Sequence, residues 1–218
     1  MTKKRLPVLL TRVAFLAVFV LLLVNGRLPL WLILFGISLA LAVFFGRLYC
    51  GYVCPINTVL MPVSQITKRR GGRDAPKWLE SGKAAWISLA VTLAIFAFTR
   101  GVLNKNFPVL LIWLILAVVV TLRYKPSVFH NKVCPYGVLQ RIFARSPRFS
   151  QYVEKSGCDG CRDCETVCPA EAIQVRADAK AHVDTQACLQ CKNCELICHT
   201  KTIHYGKPTQ RAEQQKAV

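Results

Sequence analysis

Eight cysteines in the last third of the chain write one pattern twice, Cys158-x2-Cys161-x2-Cys164-x3-Cys168-Pro169 and then Cys188-x2-Cys191-x2-Cys194-x3-Cys198-His199. That spacing is the ligand run of bacterial ferredoxins carrying two [4Fe–4S] clusters. A tight loop with two residues between ligands can wrap three corners of one iron–sulfur cube. The fourth thiolate must come from elsewhere, and in two-cluster ferredoxins it comes from the other copy. The spacing therefore predicts Cys158, Cys161, Cys164 and Cys198 on one cluster, and Cys188, Cys191, Cys194 and Cys168 on the other. The chemistry is one-electron transfer. Zinc is disfavoured, because all-cysteine zinc sites use two separated pairs rather than two runs of four. A disulfide framework is disfavoured too, since such frameworks belong to small secreted chains. His199 stands where a proline is expected; that proline shapes the chain and binds no iron. His182 and His204 are expected on the surface.

The remaining three cysteines form a second constellation. Arg47-Leu48-Tyr49-Cys50-Gly51-Tyr52-Val53-Cys54-Pro55 and His130-Asn131-Lys132-Val133-Cys134-Pro135-Tyr136-Gly137 share a four-residue spacing ahead of a proline. His130 occupies the place of a cysteine. On a helical turn, i and i+4 point the same way, so Cys50, Cys54, His130 and Cys134 are expected to converge on a third redox or metal site. Imidazole can replace thiolate on iron, as in Rieske centres. The plainer alternative is that the three cysteines are small buried hydrophobes. Tyr49, Tyr52, His130 and Tyr136 lie where a quinone headgroup could be met, although aromatic residues favour membrane interfaces in any case.

Four apolar stretches have to position these motifs: Val8–Val24, Leu28–Phe45, Ala84–Phe98 and Phe107–Leu122. Each is a little short of the roughly 20 residues of a full span, a deficit that flanking Lys and Arg can cover by snorkelling. The chain is 53% hydrophobic over 218 residues, with a mean hydropathy of +0.35, which fits a membrane protein with a small cofactor-stabilised module. Asn25-Gly26-Arg27 reads as a tight turn between the first two helices. The apolar run before it has basic flanks, but no small-residue cleavage site follows.

The net charge is +18. Basic flanks of membrane spans account for it, so a nucleic-acid partner is not expected. Of the 29 Lys and Arg residues, only Arg27, Arg100 and Lys105 fall on one side of the four spans. The positive-inside rule then puts both termini in the cytoplasm of a multi-pass protein of the bacterial inner membrane. No carboxylate lies within a span, so no intramembrane proton relay is visible.

The expected fold is an all-α four-helix membrane bundle with a C-terminal α+β module of bacterial-ferredoxin type, holding two [4Fe–4S] clusters. Residues 1–125 make the bundle, with a cytoplasmic loop at 46–83. Residues 126–157 form an interfacial connector, with Gly137–Phe143 its best helix. Residues 158–205 form the ferredoxin module, with β-prone pieces at Ala172–Arg176 and Thr202–Tyr205, and 206–218 are a disordered tail.

These motifs together resemble the NapH-like membrane ferredoxin-type family, whose larger relatives include NosR and CcoG. The resemblance runs from about residue 8 to residue 205. It implies quinol-linked electron transfer, a membrane location and a redox partner protein. It also implies that Cys50, Cys54 and Cys134 match the family's motif cysteines, from which His130 departs. The direction of electron flow is left open. Two alternatives stand beside this reading. One is a copper-handling or oxidase-assembly factor of the CcoG kind, since soft thiolates suit Cu(I). The other is a non-catalytic anchor whose clusters only stabilise docking.

Overall fold

The computed structural model describes residues 5–69, 71–76, 79, 82–101 and 109–207. The first two helices are α1 (Arg5–Val24) and α2 (Leu28–Phe45). Asn25 and Gly26 close α1: the Asn25 side chain and backbone both donate to Leu21, and Gly26 takes φ +65°. That is the expected turn, built on a left-handed residue only glycine adopts cheaply. A second pair, α4 (Lys83–Gly101) and α5 (Val109–Arg123), follows later.

Three helices are long and apolar enough to cross a membrane, at Leu6–Val24, Leu28–Phe45 and Lys83–Gly101. They contain or coincide with the first three expected spans. The fourth, α5, is 15 residues among the described ones, about 22 Å at 1.5 Å per residue; Phe107 and Pro108 of the expected span lie outside the described residues. The outer faces carry Leu10, Leu21, Ile33, Leu93 and Ile115, each more than half exposed. An apolar surface of that extent needs a partner other than water.

The stretch expected as a loop at 46–83 holds structure of its own. After α2 the chain makes a π-helical turn, Tyr49–Val53, and then α3, Pro55–Arg69. After α5 it repeats the device: a π-helical turn, Phe129–Val133, then α6, Pro135–Phe143. The Tyr49 hydroxyl accepts from Trp31 Nε1 at 2.9 Å. Trp31 lies near the start of α2, about 20 Å of helix from Phe45. The chain therefore folds back along α2 before α3 begins. Re-entrant backbone of this kind is tolerated where protein rather than lipid surrounds it. Tyr136 reaches the same depth, with its ring 5.4 Å from Phe35 and that of Tyr49 5.1 Å away. Helix α3 packs against α1 and α5, and α6 against α2 and α4. The sidedness of α3 comes from Ile56, Asn57, Leu60 and Thr67, all buried; the Thr67 hydroxyl donates to the Thr121 carbonyl.

The C-terminal module has two two-stranded antiparallel sheets and two short helices, α7 (Asp163–Val167) and α8 (Asn193–Ile197). Strand β2 (Ile173–Val175) pairs with β3 (Ala181–Val183). Strand β1 (Ser150–Val153) pairs with β4 (Ile203–Gly206), matching Val153 to Ile203. This moves a boundary. Residues 150–153, expected in the connector 126–157, complete the module's second sheet, and Gly206 ends β4 rather than starting a tail. Residues after Lys207 lie outside the described ones.

Candidate metal centres

Within the module, each helix is entered through a left-handed residue, Arg162 at φ 67° and Lys192 at φ 60°. Each helix ends on the fourth cysteine of its run, with Cys168 and Cys198 both extended. The local fold thus throws the fourth cysteine away from its own loop. Cys168 comes to rest beside Cys188, Cys191 and Cys194, close enough for their charges to interact. Cys198 packs against an apolar cluster that contains Cys158, Cys164 and Cys194, with Cys168 also packed against it. Cys164 in turn neighbours Cys161 and Cys158. Backbone N–H groups point at sulfur, from Ala172 to Cys168 at 3.3 Å and from Gln190 to Cys188 at 3.5 Å.

A tetrahedral metal with metal–sulfur bonds of about 2.3 Å draws its sulfurs to roughly 3.8 Å of one another. Among the described residues, the only group of three or more metal-binding side chains with ligand atoms all within 4.8 Å is Asp159, Cys161 and His199. The cysteine quartets are spread wider than one small ion would hold them. Wider spacing and N–H donors to sulfur suit a multi-iron cube, so the residues fit the cofactor. His199 donates to or accepts from Cys161 across 3.9 Å and meets Asp159 at 2.9 Å. His182 pairs with Asp178, and His204 is exposed.

The two quartets have unlike surroundings. Cys188, Cys191 and Cys194 are buried, whereas Cys161 is exposed. The loop bearing Cys188 and Cys191 lies against the membrane helices; its quartet is the proximal one and the other the distal one.

The membrane motifs build a separate constellation. Cys54 and Cys134 have the same backbone, φ −65° with ψ 118° and 116°, and each precedes the proline that opens a helix. Their N–H groups close the π-helical turns onto Tyr49 and Phe129 at 2.8 and 2.9 Å. The first-turn N–H groups of Ile56 and Asn57 reach Cys54, and those of Tyr136 and Gly137 reach Cys134. A helix N-terminus favours negative charge and thiolate. Burial opposes it, pushing the Cys134 thiol up to about 12 and Cys54 higher still. A cation is what would turn both into thiolates.

Cys50 interacts with both Cys54 and Cys134, so the structure brings all three together. His130 sits eighty residues after Cys50 at the matching place in the second turn. It is buried, its Nε2 has no hydrogen-bond partner, and burial with the nearby Arg47 charge lowers it to about 3. Arg47 was not singled out in the sequence. It is 1% exposed and donates to Cys50 Sγ at 3.8 Å, to the Ala187 carbonyl at 3.2 Å and to Asn131 Oδ1 at 3.4 Å. Gly137 makes room for it, since a Cβ there would lie 3.1 Å from the guanidinium.

The module docks directly on this site. A Cβ on Gly51 would stand 2.4 Å from the Leu189 carbonyl oxygen and 3.2 Å from the Cys191 backbone nitrogen and Cα. Only glycine permits that approach. Arg12 stitches the contact, donating to the Gly51 and Cys191 carbonyls at 2.8 and 2.9 Å. Asn131, in the second turn, donates to the Ala170 carbonyl at 2.7 Å.

On the other side of the cysteines lies a cavity of about 230 Å³ between α2, α4 and α5. Its walls are mostly apolar, with Tyr49, Tyr136, Trp31, Thr92, Thr99 and Arg100 supplying polar atoms. Tyr52 and His130 do not line it. His130 borders a second cavity, of about 610 Å³, among α1, α3 and the module.

Two protein-family profiles match the chain. One, described as a 4Fe-4S binding domain, matches twice, over residues 28–73 and 106–151. Those segments are the two α2-like and α5-like units with their cysteine turns. The other, a 4Fe-4S dicluster domain, matches residues 157–202. Among curated proteins, an uncharacterized protein of Methanocaldococcus jannaschii is 28% identical over 62% of this chain and 56% of its own. The methylamine utilization ferredoxin-type protein MauN of Methylobacillus flagellatus is 26% identical over 64% and 56%. The ferredoxin-type protein NapH of Haemophilus influenzae is 25% identical over 61% and 51%. The matches thus span about half the length of these relatives. No solved structure matches.

Proposed function

Starting from the chain's standing as a NapH-like ferredoxin-type, iron–sulfur electron-transfer protein, we propose that it carries electrons between a membrane quinone and a redox partner protein. It lies in the inner membrane of a bacterium with both termini cytoplasmic, and α5 completes a bundle of four spans. The proximal cluster is held by Cys188, Cys191, Cys194 and Cys168. The distal cluster is held by Cys158, Cys161, Cys164 and Cys198. Cys50, Cys54 and Cys134, with His130 as the fourth candidate, hold a third centre. These groups supply reversible one-electron steps when bound; the protein orders them and keeps water away.

The carrying observation is the contact of Gly51 with the Leu189–Cys191 backbone. It places the turn bearing Cys50 against the loop bearing two proximal ligands, and no solvent layer separates them. Two further observations support the reading. Arg47 is a buried guanidinium with no carboxylate partner among the described residues, an arrangement that is costly unless negative charge lies nearby. Thiolates on a metal would supply it. The profile named for [4Fe–4S] binding also covers both cysteine turns.

The quinone headgroup is assigned to the cavity beside Tyr49 and Tyr136. Its apolar walls suit an isoprenoid carrier, and the two hydroxyls can donate to quinone oxygens. The test is reduction of the purified protein in lipid nanodiscs by a quinol, followed by EPR. Quinol should reduce the proximal cluster, and Tyr136→Phe should slow that step. Clusters reducible by dithionite but untouched by quinol would refute the quinone link and leave the iron–sulfur assignment standing.

A further inference from the structure

The two ferredoxin runs are alike in spacing, yet the structure surrounds them with different charge. Two arginines from the membrane part enter the proximal side. Arg12 donates to the Cys191 carbonyl, and Arg47 donates to the Ala187 carbonyl, one residue before Cys188. They are 2% and 1% exposed, and neither forms an ion pair among the described residues. The remaining guanidinium contacts are the Gly51 carbonyl, Met61 Sδ and the Tyr52 ring for Arg12, and Asn131 Oδ1 and Cys50 Sγ for Arg47, whose Nε has no hydrogen-bond partner. The carboxylates nearest this loop are Asp184, exposed and bound to the Gln186 and Ala187 N–H groups, and half-buried Glu195, bound to Gln151.

The distal side has no such charge. Lys180, on the Cys158 carbonyl, is partly exposed, and Arg162, within the loop, is exposed. Asp159 stands beside the exposed Cys161. Exposed charges are screened by water and salt, whereas buried ones are not.

Reduction adds one negative charge to a cluster. Buried cations favour the reduced form, and the net charge around a cluster is one of the levers on its potential. Burial of the proximal cluster acts in the opposite sense, because it disfavours the more highly charged form. Two unscreened guanidinium groups within the loop's hydrogen-bond shell outweigh it. We infer that Arg12 and Arg47 are the buried counter-charges of the proximal cluster and hold its midpoint potential above that of the distal cluster. The two clusters thereby become unequal members of a relay, with the membrane side setting the difference. This rests on the ligand sets given above and not on the quinone; Arg12, whose hydrogen bonds reach none of the membrane cysteines, carries it independently of the third centre.

The experiment is a potentiometric titration of the full chain in nanodiscs, read by EPR. A Cys161→Ser variant marks the distal signal by altering its line shape. The wild type should show two midpoints, with the higher one unaffected by that mark. Arg47→Gln and, separately, Arg12→Gln should lower the higher midpoint and leave the distal one in place. Arg47→Lys should restore most of the shift, which a merely structural role would not require. Retained clusters with unmoved midpoints in both Gln variants would overturn the inference. So would equal shifts of both clusters, or a higher midpoint that carries the distal mark. Should Arg47→Gln lose the proximal cluster, the Arg12→Gln and Arg47→Lys variants decide the matter. Dithionite-treated wild type without any cluster signal would overturn the ligand sets themselves.

Discussion

Replacing Gly51 with alanine adds one carbon at the narrowest point between membrane and module. That carbon would stand 2.4 Å from the Leu189 carbonyl oxygen, where ordinary contact begins at 3.4 Å. Backbone lies on both sides, so no flexible side chain can yield. The module must back away by roughly 1 Å, or the turn must distort. Overpacking of this kind costs about 1–3 kcal/mol. That converts to about a 5- to 150-fold loss in the docked over the undocked arrangement. The ferredoxin fold is not touched by the added carbon, so iron content and the dithionite-reduced EPR spectrum should match the wild type. Stopped-flow reduction by quinol should slow, because the proximal cluster no longer rests on the Cys50 turn. Gly36→Ala is the control: it lies within α2 with nothing within 4 Å of the new carbon, and alanine favours a helix by about 1 kcal/mol. Quinol reduction at the wild-type rate in Gly51→Ala, with both clusters intact, would refute the docking argument.

Other outcomes follow from the same geometry. Cys198→Ala should remove the distal cluster and spare the proximal one, and Cys168→Ala should do the reverse, each checked by EPR and iron content. Stripping iron with a chelator should unfold residues 150–207, because pairs of three- and four-residue strands are not stable alone; protease cleavage confined to that segment would show it. Trp31→Phe should leave the buried Tyr49 hydroxyl without its donor and cost about 1–3 kcal/mol, seen as a lower midpoint of thermal unfolding in detergent. A periplasm-active reporter fused at the C-terminus should stay silent.

The parts legible in the sequence are those carried by spacing. The doubled run is the source of the proposed ligand quartets, because a tight loop can supply only three ligands to one cube. Apolar runs marked α2 to the residue and α1 and α4 to within three residues at each end. Helix α3 was hidden because Pro62 and a mixture of Thr, Ser and Gln blur its one buried face. Strands β1 and β3 were hidden by length: four and three residues carry no periodicity. The fold-back of Tyr49 was out of reach, since only a tertiary contact with Trp31 reveals that the chain reverses. In the sequence Arg12 and Arg47 are simply two of the Lys and Arg residues on the basic side of the spans. Their burial became visible once the module was seen to cover them.

Both halves of the chain are duplications, and function sits where the copies disagree. In the membrane half, the matched Cys54-Pro55 and Cys134-Pro135 steps share one backbone conformation, so they serve the scaffold that aims both thiols. Cys50 against His130, Gly51 against Asn131 and Arg47 against Ser127 break the match. The first turn gains a thiol, a close approach and a cation, and the second turn offers a side-chain hydrogen bond to the module instead. The module's breaks answer them. Leu189 is fully buried against the first turn and Gln190 beside Gly46, while Asp159, the counterpart of Leu189, is exposed. Ala170 is buried under Asn131, while its counterpart Thr200 is exposed. Each copy gives one apolar contact where its counterpart is polar, Leu189 in the second against Asp159 and Ala170 in the first against Thr200, and these decide which loop faces the membrane. A symmetric module could dock either loop on the cysteine turn; these differences leave one orientation, with Cys161 exposed.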